Sequence, residues 1–432
     1  TEVKLGGSTL TTGDNTSTTF AGTITSASGG SLTKTGAGTF TLRGSNTFSG
    51  GVHFNAGLIN AASLSNLGAG ALSFNGGGLQ FGAAFDPSLD NRTITFQAGG
   101  ATLDTQAYNV TVSKAIGNGG AGGLTKQGSG MLTLSASPNY TGPTVISAGT
   151  LQLASGATLP AATAVNLTAS GAILDDNAIS QTIASLTGVA GTEVKLGGST
   201  LTTGNSASTT FAGAITSASG GSLTKTGAGT FTLRGSNTFS GAVNFNAGLI
   251  NAAGLSNLGA GALNFNGGGL QFGAAFDPSL DNRTITFQAG GATLDTQAYN
   301  VAVSKAIGNG GAGGLTKSGS GILELDGTVS YSGATSINAG VLKINNQQST
   351  TLSAISGAGK LEVDGAGTVL TASSLNVNTL TLGAGSVVVI APIAGGPPIG
   401  QQLQLVPLPE PSALVLLGIG ALAMLFAARR KR

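Results

Sequence analysis

Apolar and polar residues alternate along this chain in runs of four to six residues. In TFTLRG, Phe40 and Leu42 fall on one face while Thr39, Thr41 and Arg43 fall on the other, the two-residue period of a β-strand. VHFNAG and TLQL alternate in the same way, and each run stops at Gly, Asn or Ser, residues that turn the chain. No 3.6-residue period is sustained, and Gly, Thr and Ser outweigh the good helix formers. The pattern predicts an all-β body made of many short strands.

The strands recur. Residues 1–130 return at 192–321 without gaps, with few changes, among them Asp14/Asn205, His53/Asn244, Ser63/Gly254 and Gln127/Ser318. A shorter motif sits inside each long copy: LTKTGAGTFTLRG from Leu32, LTKQGSGMLTLSA from Leu124, a near-copy of the first from Leu223, and LTKSGSGILELDG from Leu315. Many short strands are compatible with a sandwich or a barrel, but this repetition favours a solenoid. In a parallel β-helix like residues stack from coil to coil, with Gly and Asn at the corners. Coils of roughly 20–25 residues are expected. The repeats divide the chain into a first long repeat at 1–191, a second at 192–350, and terminal coils or a cap with a linker at 351–400. The sequence opens with TEVKLGGSTLTTG, words that return at Thr192 behind ASLTGVAG. It therefore begins inside a repeat, which predicts a segment of a longer protein whose start, with any signal peptide, lies upstream.

The C-terminus breaks the pattern. PLPEPSALVLLGIGALAMLFAARRKR carries an uncharged apolar run from Ala413 to Ala428, then Arg429, Arg430, Lys431 and Arg432. The run predicts a helix over 413–428. It is slightly short for a membrane span, with upstream Leu and Pro and the basic stem extending it. The basic cluster would remain on the cytoplasmic side as a stop, leaving the body outside.

Composition changes the picture in three places. There is no cysteine, so disulfides, thiolate metal sites and cysteine nucleophiles are excluded. Without the last four residues, 14 basic residues face 16 acidic ones. The high isoelectric point therefore belongs to the tail and gives no case for nucleic acid binding. There is no Trp, and Gly numbers 74 of 432 residues, so the core must rely on small and branched side chains.

Candidate chemistry is thin. His53 is the sole histidine and its duplicate is Asn244, which points to a solvent-facing strand residue. Asp86, Asp90 and Arg92 in FDPSLDNRT return as Asp277, Asp281 and Arg283. Paired carboxylates suit glycoside hydrolysis or Ca²⁺ binding, yet Asp-Pro and Asp-Asn are turn signals and Arg can pair locally. Asp175 and Asp176 in LDDNAIS read as a coil corner, with metal binding the rarer option. Lys34, Lys126, Lys225 and Lys317 recur too regularly for a unique site and are expected on a solvated coil edge. GNGGAGG lacks the helix and Gly-Lys-Ser/Thr of a phosphate loop. No catalytic residue, cofactor site or metal site is expected. Two functions remain: a non-enzymatic exported surface or matrix repeat protein, adhesin-like, or a β-helix polysaccharide lyase or hydrolase.

The four LTK motifs resemble the autotransporter-associated β-strand repeat. The resemblance covers most of residues 1–350 and implies a right-handed parallel β-helix like the passenger regions of surface proteins. An autotransporter would finish in a membrane β-barrel, whereas the residues after 350 lead to the apolar tail. Pro409, Glu410, Pro411 and Ser412, then the apolar run, then the basic cluster resemble the PEP-CTERM sorting signal, here at 407–432. That resemblance implies recognition by an exosortase-type processing enzyme in bacteria that make exopolysaccharide. It also implies anchoring in the membrane by the C-terminal helix before processing, then a cell-surface or extracellular location. Exopolysaccharide is the expected partner of the solenoid face.

Overall fold

The computed structural model describes residues 1–154, 156–281 and 283–390, and the backbone of Ala413–Leu416. They form two compact units. The first is Thr1–Asn205 with Thr209–Ser222 and Gly235–Phe239; the second is Ser206–Ser208 with Leu223–Arg234 and the described part of Ser240–Arg432. Both are all-β parallel β-solenoids.

In the first unit, Thr9–Thr12, Ser31–Lys34, Val52–Phe54, Leu72–Phe74 and Ile94–Phe96 pair side by side in parallel. A second face runs through Leu58–Ala61, Gly78–Phe81, Ala101–Asp104, Leu124–Gln127 and Thr144–Ile146. A third includes Met131–Leu134, Thr150–Leu153, Ile173–Asp175 and Glu193–Lys195. Partners lie from 19 residues apart, as for Leu132 and Leu151, to 24, as for Leu79 and Leu103. This is close to the expected coil length. The second unit repeats the scheme through Val243–Phe245, Leu263–Phe265 and Ile285–Phe287 on one face. It also holds two long strands, Ser349–Val363 and Val369–Leu382, whose pairing shifts register between Gly357 and Lys360, and Val387–Ile390 pairs on beside the second of them.

Because side chains alternate in and out, each coil places the same kind of residue at the same height. Leu32, Val52 and Leu72 are wholly buried, and so are Phe54 and Phe96. Phe54 and Phe74 stack with ring centroids 4.1 Å apart, and Phe74 meets Phe96 edge-on at 5.7 Å. The duplicate Phe245, Phe265 and Phe287 do the same in the second unit. Stacked apolar columns of this kind supply the burial that drives folding, roughly 1.5–3 kcal/mol for each large side chain.

Corners are closed by buried asparagines. The Asn46 side-chain oxygen accepts the Ile24 N–H at 2.7 Å, and its amide nitrogen donates to Asn66 O at 2.5 Å. Asn46 thus bridges the coil before and the coil after. Asn46→Ala is expected to cost about 2 kcal/mol, since a buried N–H and a buried carbonyl both lose their partner. It should also speed hydrogen exchange at the Ile24 amide; unchanged exchange there would dismiss the bridge.

Two expectations are corrected. Lys34, Lys126, Lys225 and Lys317 are not on a solvated edge: each is 0–1% exposed. Each LTK lysine stands two residues after an inward leucine, so the strand period sends it inward too. The helix expected over 413–428 is not found where the chain is described. Ala413–Leu416 is a strand lying parallel to Val387–Ile390. An apolar segment beside an open strand edge satisfies its backbone by pairing there. The rest of that run, Pro409 to Ser412, and Arg429 to Arg432 fall outside the described residues. Among the described residues no helix is long and apolar enough to cross a membrane.

Candidate functional site

The inward lysines build the coil corners. Lys126 Nζ donates to the carbonyls of Gln127 (2.8 Å) and Gly128 (2.7 Å) in its own turn and to Ala148 (3.0 Å) in the next coil. Lys317 repeats this with Ser318, Gly319 and Ala339. Three donors meet three acceptors, the full capacity of an ammonium group. Gly128 takes φ +79° and Gly149 φ +62°, backbone that favours glycine. A Cβ at Gly149 would lie 2.4 Å from Gly130 O. The Lys-x-Gly and Ala-Gly words of the repeat are therefore two halves of one cage. Burial pushes Lys126, Lys225 and Lys317 down to about 8, so each remains charged at neutral pH.

Outward positions form polar ladders. Thr41, Asn60 and Gln80 are opposite one another on successive strands, and Asp104 follows Gln80. Asn60 Nδ2 donates to Gln80 Oε1 at 2.9 Å, and Gln80 Nε2 donates to Asp104 Oδ2 at 2.9 Å. Gln106 adds its backbone N–H and its side-chain Nε2 to the same carboxylate. Asp104 can only accept when ionised, so it fixes the direction of every amide behind it. Asn251, Gln271 and Asp295 repeat the ladder in the second unit, and Gln152 donates to Asp175 in a third instance.

The carboxylates singled out in the sequence are tied down locally. Asp86 accepts the N–H of Ser88 (2.8 Å) and of Ser113 in the next coil (2.9 Å). Arg92 pairs with Asp90 and donates to Gly68 O at 2.7 Å. The Arg92 hydrogen bonds hold Asp90 below the usual carboxylate range. Asp277, Asp281 and Arg283 repeat these contacts. His53 is half-buried in its strand, between Thr33 and Ser73; in its place Asn244 donates to Thr224 and accepts from Asn264. Asp175 and Asp176 part company. Asp175 faces outward in its ladder, whereas Asp176 is 0% exposed, with one oxygen accepting from Ser199 at 2.9 Å and the other unpartnered. Lys343 joins Glu324 (3.0 Å) and Asp364 (3.3 Å) across successive strands. Hydrogen bonding to Glu324 raises Lys343 and bonding to the Gly365 N–H lowers Asp364, so both stay ionised. Among the described residues no three His, Cys, Asp or Glu side chains are grouped to hold a metal ion.

The sequence reading missed the ladders and the cages. Both were signalled only by phase: which residues of a repeat share parity with its leucines.

Fold and surface together define a parallel β-solenoid built from a recurrent strand motif with hydrogen-bonded polar rows outside. The Passenger-associated-transport-repeat model matches residues 32–60, 124–153, 223–251 and 315–344. The PEP-CTERM protein-sorting motif matches 407–432. The chain thus carries four such repeats followed by that motif. It is similar to the adhesin BmaC autotransporter of Brucella suis biovar 1 (strain 1330), 32% identical over 279 residues. The match covers 58% of this chain and 8% of the adhesin, so the chain spans less than a tenth of that relative. No solved structure matches the chain.

Proposed function

We propose that this chain is an exported, non-enzymatic, adhesin-like surface repeat protein, sorted through its C-terminal segment and processed there by an exosortase. The observation that carries the reading is the joining of passenger-type repeats to a PEP-CTERM motif at 407–432 in one chain. Its order is two long solenoid repeats, terminal coils, and a tail. The coil is taken as right-handed, the sense that parallel crossovers overwhelmingly adopt. The tail at 407–432 holds the chain at the membrane until cleavage, with Arg429, Arg430, Lys431 and Arg432 on the cytoplasmic side. The repeated carboxylates Asp86, Asp90, Asp277 and Asp281 are tied to serine or arginine partners and the LTK lysines to backbone carbonyls, which supports a scaffold rather than acid–base chemistry. The outward partner is extracellular polysaccharide, for which rows of hydroxyl and amide groups are suited.

The test is the intact mass of the protein from its native host, in membrane and released fractions. A released form lacking the residues after Pro411 is expected. Full-length protein confined to the membrane would overturn processing and leave a plain anchor.

A further inference from the structure

A cleft of about 350 Å³ opens in the second unit, lined by Thr232, Arg234, Asn251, Gly254, Ser256 and others. Its floor is the start of the ladder. Thr232 is opposite Asn251, Asn251 opposite Gln271, and Gln271 opposite Asp295. The strands therefore offer one polar group every ~4.8 Å, a spacing close to the length of one pyranose residue. Asn251 donates one amide hydrogen to Gln271, and Gln271 one to Asp295; each keeps a second amide hydrogen for a ligand. Asp295 is nearly buried and its Oδ2 is taken by Gln271 and Gln297.

Arg234 stands two residues beyond Thr232, at the opposite end of the row from Asp295. It is exposed, and no carboxylate pairs with it among the described residues. An uncompensated guanidinium over a cleft of hydroxyls and amides is complementary to a carboxylate. Gly254 adds room: a side chain there would meet nothing within 4 Å. At the same place in the first unit, the Ser63 hydroxyl occupies the space and bonds Ser65 at 2.9 Å. The first unit otherwise repeats the row as Arg43, Thr41, Asn60, Gln80 and Asp104.

We propose that this row, from Arg234 along Thr232, Asn251 and Gln271, is a binding track for an acidic polysaccharide, one that carries carboxylates on its sugar units. The row at Arg43 is a second, narrower track. The proposal rests on the polysaccharide partner proposed above and adds its class and its place. Recognition runs through charge and hydrogen bonds rather than ring stacking, in keeping with a chain that has no Trp.

The test measures binding of the full chain to polygalacturonate, dextran and dextran sulfate. Tight binding to polygalacturonate, weak binding to dextran, and weakening by salt are expected. Arg43→Ala with Arg234→Ala should lower the polygalacturonate affinity by at least about tenfold at an unchanged melting temperature, since both side chains are exposed. Gly254→Trp, at an extended backbone position (φ −176°), should block the wider track without changing charge. Polygalacturonate binding unaffected by the arginine pair would overturn the track while leaving the polysaccharide partner standing. Binding to dextran sulfate as tight as to polygalacturonate, with Gly254→Trp without effect, would reduce the interaction to charge and overturn the track. Failure to bind any glycan would overturn the partner and the track together.

Discussion

Asp176→Thr is expected to stabilise the protein above pH 7 and to do little near pH 4. Asp176 occupies the coil position held by Thr105 and Thr296. There the threonine hydroxyls donate to Gln127 O and Ser318 O, each at 3.1 Å. The Asp176 backbone N–H makes the corresponding bond to Lys195 O at 3.0 Å, but its second carboxyl oxygen has no partner. Burial is the main cause that pushes Asp176 up to about 7; the bond from Ser199 opposes it and Asp175 beside it adds to the rise. The unfolded chain releases this proton near 3.8, so between about pH 4 and 7 the folded state binds the proton more tightly. Stability therefore falls as pH rises through that window, by up to about 4 kcal/mol. Asp90 and Asp281, held low by their arginines, act in the opposite sense and at lower pH. Comparing wild type with Asp176→Thr removes their contribution. Urea unfolding of both proteins at pH 4 and pH 8 is the measurement, and a difference that does not depend on pH would rule the account out.

Lys126→Met should cost about 3 kcal/mol. The methionine fills most of the volume, but three inward carbonyls lose a charged donor, and unsatisfied buried acceptors cost about 1–3 kcal/mol each before relaxation. A solenoid is held by neighbour contacts, so the damage should be concentrated in the coils that contribute Gly128 and Ala148. Hydrogen exchange read by mass spectrometry should show faster exchange there and little change elsewhere. Uniform protection at wild-type levels would mean that water replaces the ammonium at no cost, and the cage would lose its structural standing.

Much of the fold was legible because two signals agreed: the two-residue alternation in runs such as Thr39–Leu42, and the return of whole words at coil length. The turn role of Asp86, Asp90 and Arg92 was legible too, since Asp-Pro and a nearby Arg carry local geometry within themselves. The lysines were misread because charge was weighed ahead of phase. Lys126 has the parity of Leu124, and only the cage that forms between Gly128 and Ala148, far apart in sequence, makes burial of its charge tolerable. The ladders stayed hidden for a related reason. Asn60, Gln80 and Asp104 lie 20 and 24 residues apart, and their pairing depends on coil lengths that vary from turn to turn. At Ala413–Leu416 an apolar run long enough to suggest helix also had β-branched and leucine side chains suited to an open strand edge, and periodicity alone does not choose between them.

The caged lysines bear on how the chain withstands proteases. Trypsin-like proteases must draw a lysine or arginine side chain into a deep pocket, with the flanking backbone pulled out as an extended ribbon. Lys34, Lys126, Lys225 and Lys317 have neither feature free: the ammonium is sealed under three carbonyls and the flanking residues are hydrogen-bonded to the next coil. Arg92 and Arg283, with side chains 1–2% exposed, are shielded as well. In a chain with only 18 lysines and arginines, a good part of the cleavable bonds is thereby withdrawn, and the same contacts that close the coil corners confer resistance to digestion.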